Sequence, residues 1–349
     1  MQPGFEGPRS VTQVSCFEPP LTADLQAELP PFWEGIFEEE FGFRDVLAGS
    51  DGFIRHKIWI EREAGSGELM GTTHLAYAGP GSETAASPST NTSSTINGGL
   101  GEVATAPAFR RQGIAAQLCE MARDEFARQG GAAMFLGTGN PAAARVYHRL
   151  GFRKLASAAL MAQVNFDESP EDFLAGYFGA DEPIEVIPGS PRSRCHLIPL
   201  AVCPHDWQVL DANAGLYSTR YAQLKSCMGL FPRYEAVVAG DREGTWFEGW
   251  TESGSCLAGL STGRLTTDST SQVDGFTHKH YAAAWPELLA AVVDWSRDRG
   301  MARCRVDICV EDEEKQACFG QLGFSPAGAG GGFEVGGRSV GSILMERVL

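Results

Sequence analysis

Two short stretches of this chain end alike: Ala144 to Phe152 reads ARVYHRLGF and Gln316 to Phe324 reads QACFGQLGF. Each has the form of a helix stopped by Gly, with an aromatic residue just beyond the stop. A second match lies upstream of each. VDGFTHKHYAAAWPELL, beginning at Val273, lies over VATAPAFRRQGIAAQLC, beginning at Val103, if a two-residue difference near the start is allowed. From Gly113 to Gly151 the interval is 38 residues, and from the counterpart Tyr281 to Gly323 it is 42. A repeat of this size means a duplicated unit, and 349 residues hold two domains of roughly 150 residues each. The expected division is a first domain over 1–165, a linker rich in acids and prolines over 166–195 with a helix at Pro170 to Tyr177, and a second domain over 196–349.

Within the first half, apolar periodicity and Gly punctuation predict a strand (Val11 to Phe17), a helix (Thr22 to Phe41) and two strands (His56 to Glu63, Leu69 to Tyr77). The polar run Gly79 to Gly99 reads as a loop. A short strand, Leu100 to Thr105, follows it. Ile114, Leu118, Ala122 and Phe126 then recur at helical spacing up to Gly130 and Gly131. Ala132 to Leu136 reads as a strand. Asn140 and Pro141 form a helix start, a capping residue with Pro at the first helical position, and Phe152 to Val164 supplies the closing strands. A strand at Ala302 to Val310 separates the two matched helices of the second half.

Composition narrows the partners. A formal charge of -16, with the acidic surplus mostly in the second half, disfavours nucleic acid and anionic membranes, which need clustered Lys and Arg. It suits a cationic acceptor. No run of about 18 apolar residues spans a membrane, and the opening residues lack the basic-then-apolar order of a secretory signal. The nine scattered cysteines, never spaced C-x-x-C, point to a reducing cytoplasm rather than a disulfide framework.

The chemistry concentrates between Val103 and Tyr147. Arg110, Gly113 and Ala115 stand in the order R-x-x-G-x-A, directly between a strand and a helix. Main-chain N–H groups converge at such a turn, and the helix N-terminus adds partial positive charge, so it suits a pyrophosphate. By itself this pattern also fits an ordinary helix start. The second element is Tyr147, seven residues after Asn140 and so on the same side of the helix that Asn140 caps. Lacking G-x-G-x-x-G and G-K-[ST], the turn is neither a dinucleotide fold nor a P-loop.

These ordered elements resemble the Gcn5-related N-acetyltransferase (GNAT) family over about residues 10–165. The resemblance implies an α/β (α+β) fold of two GNAT-like domains, each a mostly antiparallel, splayed sheet flanked by helices, and acetyl-coenzyme A as co-substrate. It implies that Val103, Ala104 and Thr105 hold the acetyl and pantetheine part and that Arg110, Arg111, Gln112, Gly113, Ile114 and Ala115 wrap the pyrophosphate. Asn140 would bond the cofactor arm and Tyr147 would protonate the departing thiolate. The acceptor is expected to be a small-molecule or peptide amine. Nothing in the pattern opposes assembly with further copies. Aminoacyl or longer acyl transfer, and non-catalytic acyl-coenzyme A sensing, are the competing readings.

The general base is less marked. Some relatives carry Glu five residues before the Asn, where this chain has Phe135, so Glu102 and His74 remain the candidates. In the second half, Tyr281 replaces the turn glycine, Asp312 the Asn and Phe319 the Tyr, which predicts a catalytically silent domain that packs on the first and walls its cleft. His278 and His280 lack a third ligand, so no metal site is expected. Asp307 and Glu311 to Glu314 read as a solvated helix start or a feature for cations. Cys304, Cys309 and Cys318 read as small core residues.

Overall fold

The computed structural model describes residues 12–38, 44–49, 52–78, 95–155, 159–165, 168–266 and 268–349. The first sheet contains β1 (Thr12–Phe17), β2 (Ile54–Glu63), β3 (Leu69–Ala78), β4 (Ile96–Thr105), β5 (Gly131–Gly137), β6 (Arg153–Lys154) and β7 (Leu160–Val164) in the order β1-β2-β3-β4-β5-β7-β6. The second contains β8 (Ile184–Pro188), β11 (Gly244–Thr251), β12 (Leu257–Leu265), β13 (Thr270–Thr277), β14 (Arg303–Cys309), β15 (Ser325–Ala329) and β18 (Ser342–Val348) in the order β8-β11-β12-β13-β14-β18-β15. Between them in chain order lie β9 (Val209–Asp211) and β10 (Leu216–Tyr217), and late in the chain β16 (Phe333–Val335) and β17 (Arg338–Val340), each pair a two-stranded ribbon. The main orders match strand for strand. Each sheet is antiparallel except at one central pair, β4 with β5 and β13 with β14. That is the architecture expected of a duplicated, splayed sheet.

Local signals explain the helices that hold the first site. Thr22 caps α1 (Ala23–Phe37), whose Leu25, Leu29 and Trp33 bury one stripe against Ile58 and Ile60 of β2. In α3 (Ile114–Arg128) the stripe Ile114, Leu118, Ala122 and Phe126 is buried on the opposite face of the sheet. Asn140 caps α4 (Pro141–Arg149), accepting from Ala142 N at 2.9 Å. The expected stop at Gly151 is real: φ is +101°, and Phe152 N donates to Tyr147 O at 3.1 Å. The second half repeats this at α9 (Glu313–Gln321), where Phe324 N donates to Phe319 O at 3.1 Å.

Two expectations need correction. Ile96 to Gly99 belong to β4 rather than to the polar loop, of which 79–94 lie outside the described residues. Glycine there is a packing requirement: a Cβ at Gly99 would lie 2.3 Å from Met228 Sδ. The segment 166–195 is more than a linker. It holds α5 (Pro170–Tyr177) as expected, but β8 is the edge strand paired with β11, and Ser193 opens α6 (Ser193–Val202). All ten residues of α6 are buried, because the helix is sandwiched between β3 and β4 of one sheet and β12 of the other. One apolar cluster therefore spans both halves, joining Ala76, Ala133 and Phe135 to Ile198, Met228 and Leu257.

Candidate active site

β4 and β5 pair in parallel from Ile96 to Leu100 and then part. The parting is prepared by a bulge. His74 pairs with Gly101 and Thr72 with Ala104, so Thr73 alone stands opposite Glu102 and Val103. Glu102 takes φ +46° to make the extra turn. Its carbonyl accepts from Thr72 Oγ1 at 2.7 Å, and Thr72 Oγ1 accepts from Trp33 Nε1 at 2.8 Å. A trans peptide points its C=O and N–H in opposite directions, so Val103 N–H is turned away from Thr72.

A cavity of about 930 Å³ fills the fork between the strands. Its walls are Leu100 to Val103 and Thr105 of β4, Leu136 and Gly137 at the end of β5 with Thr138 to Asn140 after it, and Ala143, Val146 and Tyr147 of α4. Arg110 and Ala115 also line it, and α1 contributes Trp33, Glu34, Ile36 and Phe37. The remaining wall comes from the second half: Lys225 to Gly229, and Pro232 at the start of α7 (Phe231–Ala239). That segment is fixed by three contacts. Ala159 N donates to Leu224 O at 3.0 Å, and Cys227 Sγ donates to Phe135 O at 3.5 Å. A Cβ at Gly137 would lie 2.2 Å from Lys225 O, so only glycine permits the approach.

The turn before α3 combines Arg111 at φ +65° with Gly113 at φ +90°, and no side chain caps the helix. Arg111, Gln112 and Gly113 are exposed; Arg110 lies on the cavity and donates from Nε to Thr105 O at 3.2 Å. Ile114 turns its side chain into the core, leaving only its main chain available to a ligand. Ala104 pairs with Thr72 and faces α1, whereas Val103 and Thr105 reach the cavity. Asn140 spends Oδ1 on its helix cap, which leaves its Nδ2 hydrogens to donate. Tyr147 is 6% exposed, and burial drives its phenol well above its ordinary range, so at neutral pH it carries its proton.

Of the two candidate bases, Glu102 lines the cavity and His74 does not. His74 lies behind Glu102, with Nδ1 2.8 Å from Glu102 Oε2. His56, on β2, was not singled out from sequence; its Nδ1 lies 3.0 Å from His74 Nε2. A histidine in a strand carries no local sign of such a partner, because only the register of β2 on β3 brings the rings together.

The second fork is filled by the chain itself. Gln208 N donates to Asp312 Oδ2 at 2.8 Å and Gln208 Nε2 to Glu311 Oε2 at 2.7 Å. Lys315, fully buried, donates to Val209 O at 2.8 Å and pairs with Asp274 at 2.6 Å. Ala212 N donates to the same Asp274 at 2.7 Å. Part of the acidic run thus anchors a buried segment, a correction to its reading as solvated. Phe319 packs edge-on to Trp285 and Phe324. Cys304 and Cys309 are buried and Cys318 is half-buried against the core. Among the described residues no group of three His, Cys, Asp or Glu could hold a metal, and no helix is long and apolar enough to cross a membrane.

Residues 22–152 match the Acetyltransferase (GNAT) family. No curated protein matches the chain. Among solved structures, it is similar to a GNAT-family acetyltransferase from Streptococcus pneumoniae (14% identity, 48% of this chain and 100% of that one, TM-score 0.36). It is also similar to ribosomal-protein-S5-alanine acetyltransferase from Vibrio fischeri (12%, 48% and 94%, 0.37) and to spermidine N-acetyltransferase from Vibrio cholerae in complex with CoA and spermine (13%, 47% and 95%, 0.37). The stretch that carries the open fork, residues 22–152, is a GNAT acetyltransferase domain, which supports an acyltransferase enzyme.

Proposed function

We propose that the first half transfers the acetyl group of acetyl-coenzyme A directly to a primary amine, with 1–165 as the active domain and the second half as its partner and wall. The observation that carries this reading is the single cavity running from Arg110 and Ala115, past Val103 and Tyr147, to Glu102. When bound, acetyl-coenzyme A supplies a thioester carbonyl open to attack. The exposed turn from Arg110 to Ala115 suits its pyrophosphate, because two left-handed residues and an uncapped helix start present main-chain N–H groups outward. Asn140 Nδ2 and the edge of β4 at Val103 and Thr105 serve the arm.

Each chemical demand has a group. An alkyl ammonium with a pKa near 10 is only about 0.1% deprotonated at pH 7, so a base is needed. Glu102 accepts that proton. Val103 N–H stabilises the developing oxyanion. Tyr147 donates its phenolic proton to the leaving thiolate, whose conjugate acid has a pKa of about 8.5. The acceptor, a small or peptide amine, enters between α1 and the 225–232 segment, where Trp33, Ile36, Phe37 and Met228 give apolar contact and Glu34 and Lys225 carry charge. A cytoplasmic setting fits nine free cysteines.

The test is release of free thiol from acetyl-coenzyme A with a panel of polyamines, amino acids, arylalkylamines and peptides. Longer acyl-coenzyme A and aminoacyl-tRNA donors run in parallel. Amine-dependent thiol release, with the acetyl group recovered on nitrogen, is the expected result. Tight coenzyme A binding with no transfer to any amine would replace this reading with that of a sensor.

A further inference from the structure

Glu102, half-buried at the cavity, is the front of a chain that continues into two buried histidines. His74 and His56 are 3% and 5% exposed, and their rings stack with centroids 5.2 Å apart. The register places them diagonally on one face of the sheet, His74 opposite Ile58 and His56 opposite Ala76. An ionised carboxylate has no hydrogen to give, so His74 Nδ1 donates to Glu102 Oε2. A ring with that one hydrogen has a bare Nε2, and the hydrogen for it comes from His56 Nδ1. Burial holds His56 well below the usual imidazole range, with His74 and the Arg194 guanidinium acting in the same direction, so His56 is a neutral ring.

We propose that His56 is a positioning residue for acyl transfer: by donating its Nδ1 hydrogen to His74 it keeps His74 neutral, and so keeps Glu102 a carboxylate able to accept a proton rather than half of an ion pair. This rests on the reading of Glu102 as base given above. A second proton on His74 would set a cation 2.8 Å from the carboxylate and weaken its hold on any proton from the amine. His56 opposes that proton because its own hydrogen already fills Nε2. The other charged or titratable groups around the chain lie on separate elements. Lys225, Cys227 and Glu34 face the cavity with Glu102, while Arg194 of α6, paired with Glu235 of α7, acts on His56.

The test compares His56→Asn, whose side-chain amide N–H replaces the Nδ1 donor, with His56→Phe, which fills the space without one. His56→Phe is expected to lower kcat/KM for the amine roughly tenfold. It should leave the KM for acetyl-coenzyme A unchanged and move the acid limb of the pH–rate profile to higher pH, since neutral His74 loses a bond that favoured it. His56→Asn is expected to recover most of the rate and the original limb. A folded Asn variant as impaired as a folded Phe variant overturns the proposal, and so does a Phe variant with the unsubstituted profile. If the Phe variant does not fold, nitrogen NMR shifts of the unsubstituted protein decide: hydrogens on Nδ1 of both rings at neutral pH support it, and a hydrogen on His74 Nε2 overturns it. Glu102→Gln is measured alongside. Full turnover in that variant removes Glu102 as base, whereas the ring shifts report on the histidine chain whether or not Glu102 is the base.

Discussion

The two sheets have one strand order and opposite contents in their forks. In the first, β4 and β5 part around an open cavity lined by Ala143 and Tyr147 of α4. In the second, β13 and β14 pair only from Thr270 to Gln272, and residues 208–213 run into the gap. Counting from the matched ends, Lys315 occupies the position of Ala143, and Phe319 that of Tyr147. A small residue leaves room for a ligand; a buried lysine reaches across and ties down the chain. A duplicated fold can therefore keep its sheet while exchanging an open cavity for a segment of itself.

The largest expected effect breaks the filled fork. Lys315→Met leaves Asp274 buried without its cation and frees the carbonyls of Val209 and Leu210. A loss of about 3–5 kcal/mol in urea unfolding is expected, and much less for the double variant Lys315→Met with Asp274→Leu, which removes the pair together. Equal losses in the two would mean that the pair does not organise the fork.

Next comes the open fork. Tyr281 stands where the first half has Gly113, so Gly113→Tyr transfers the second half's residue to the first. A Cβ at Gly113 meets no protein atom within 4 Å, so the fold loses only the backbone strain of a side chain at φ +90°, about 1–2 kcal/mol. Affinity for coenzyme A, measured calorimetrically, is expected to fall about 100-fold. Unchanged affinity would remove the turn from the ligand site. Tyr147→Phe makes the same kind of exchange at α4 and should lower kcat about tenfold with unchanged coenzyme A affinity, because it removes only a proton donor.

What was legible in the sequence follows the same division. Caps and stops are local, so Asn140, Pro141 and Gly151 placed α4, and a four-residue recurrence placed the buried stripe of α3. Residues whose reason lies far along the chain were opaque. Gly98 and Gly99 look like a loop because glycine is a poor strand former, yet Phe126 and Met228 occupy the space their side chains would need. Acids and prolines made 166–195 read as a linker, while the burial of α6 depends on two sheets at once. The second half's departures at Tyr281, Asp312 and Phe319 were readable; the segment that fills its fork was not, since Gln208 and Asp312 meet only through the fold.

The last effect tests how the charges of the filled fork are balanced. Asp211 lies fully buried beside Asp274; burial first, and then that neighbouring carboxylate, push its pKa up to about 7. Its Oδ1 accepts from Thr262 and Ala214, but its Oδ2 has no partner. The folded state therefore binds this proton more tightly than the unfolded chain, so stability from this group is full below the ordinary aspartate range and is lost as pH rises from about 4 towards about 7. Asp211→Asn keeps the Oδ1 acceptor and abolishes the titration. Its stability relative to the unsubstituted protein should rise across that window and stay higher at alkaline pH. A difference that does not change with pH would mean that Asp211 titrates in the folded protein as it does in the unfolded chain. Lys315 would then balance the charges of both Asp274 and Asp211.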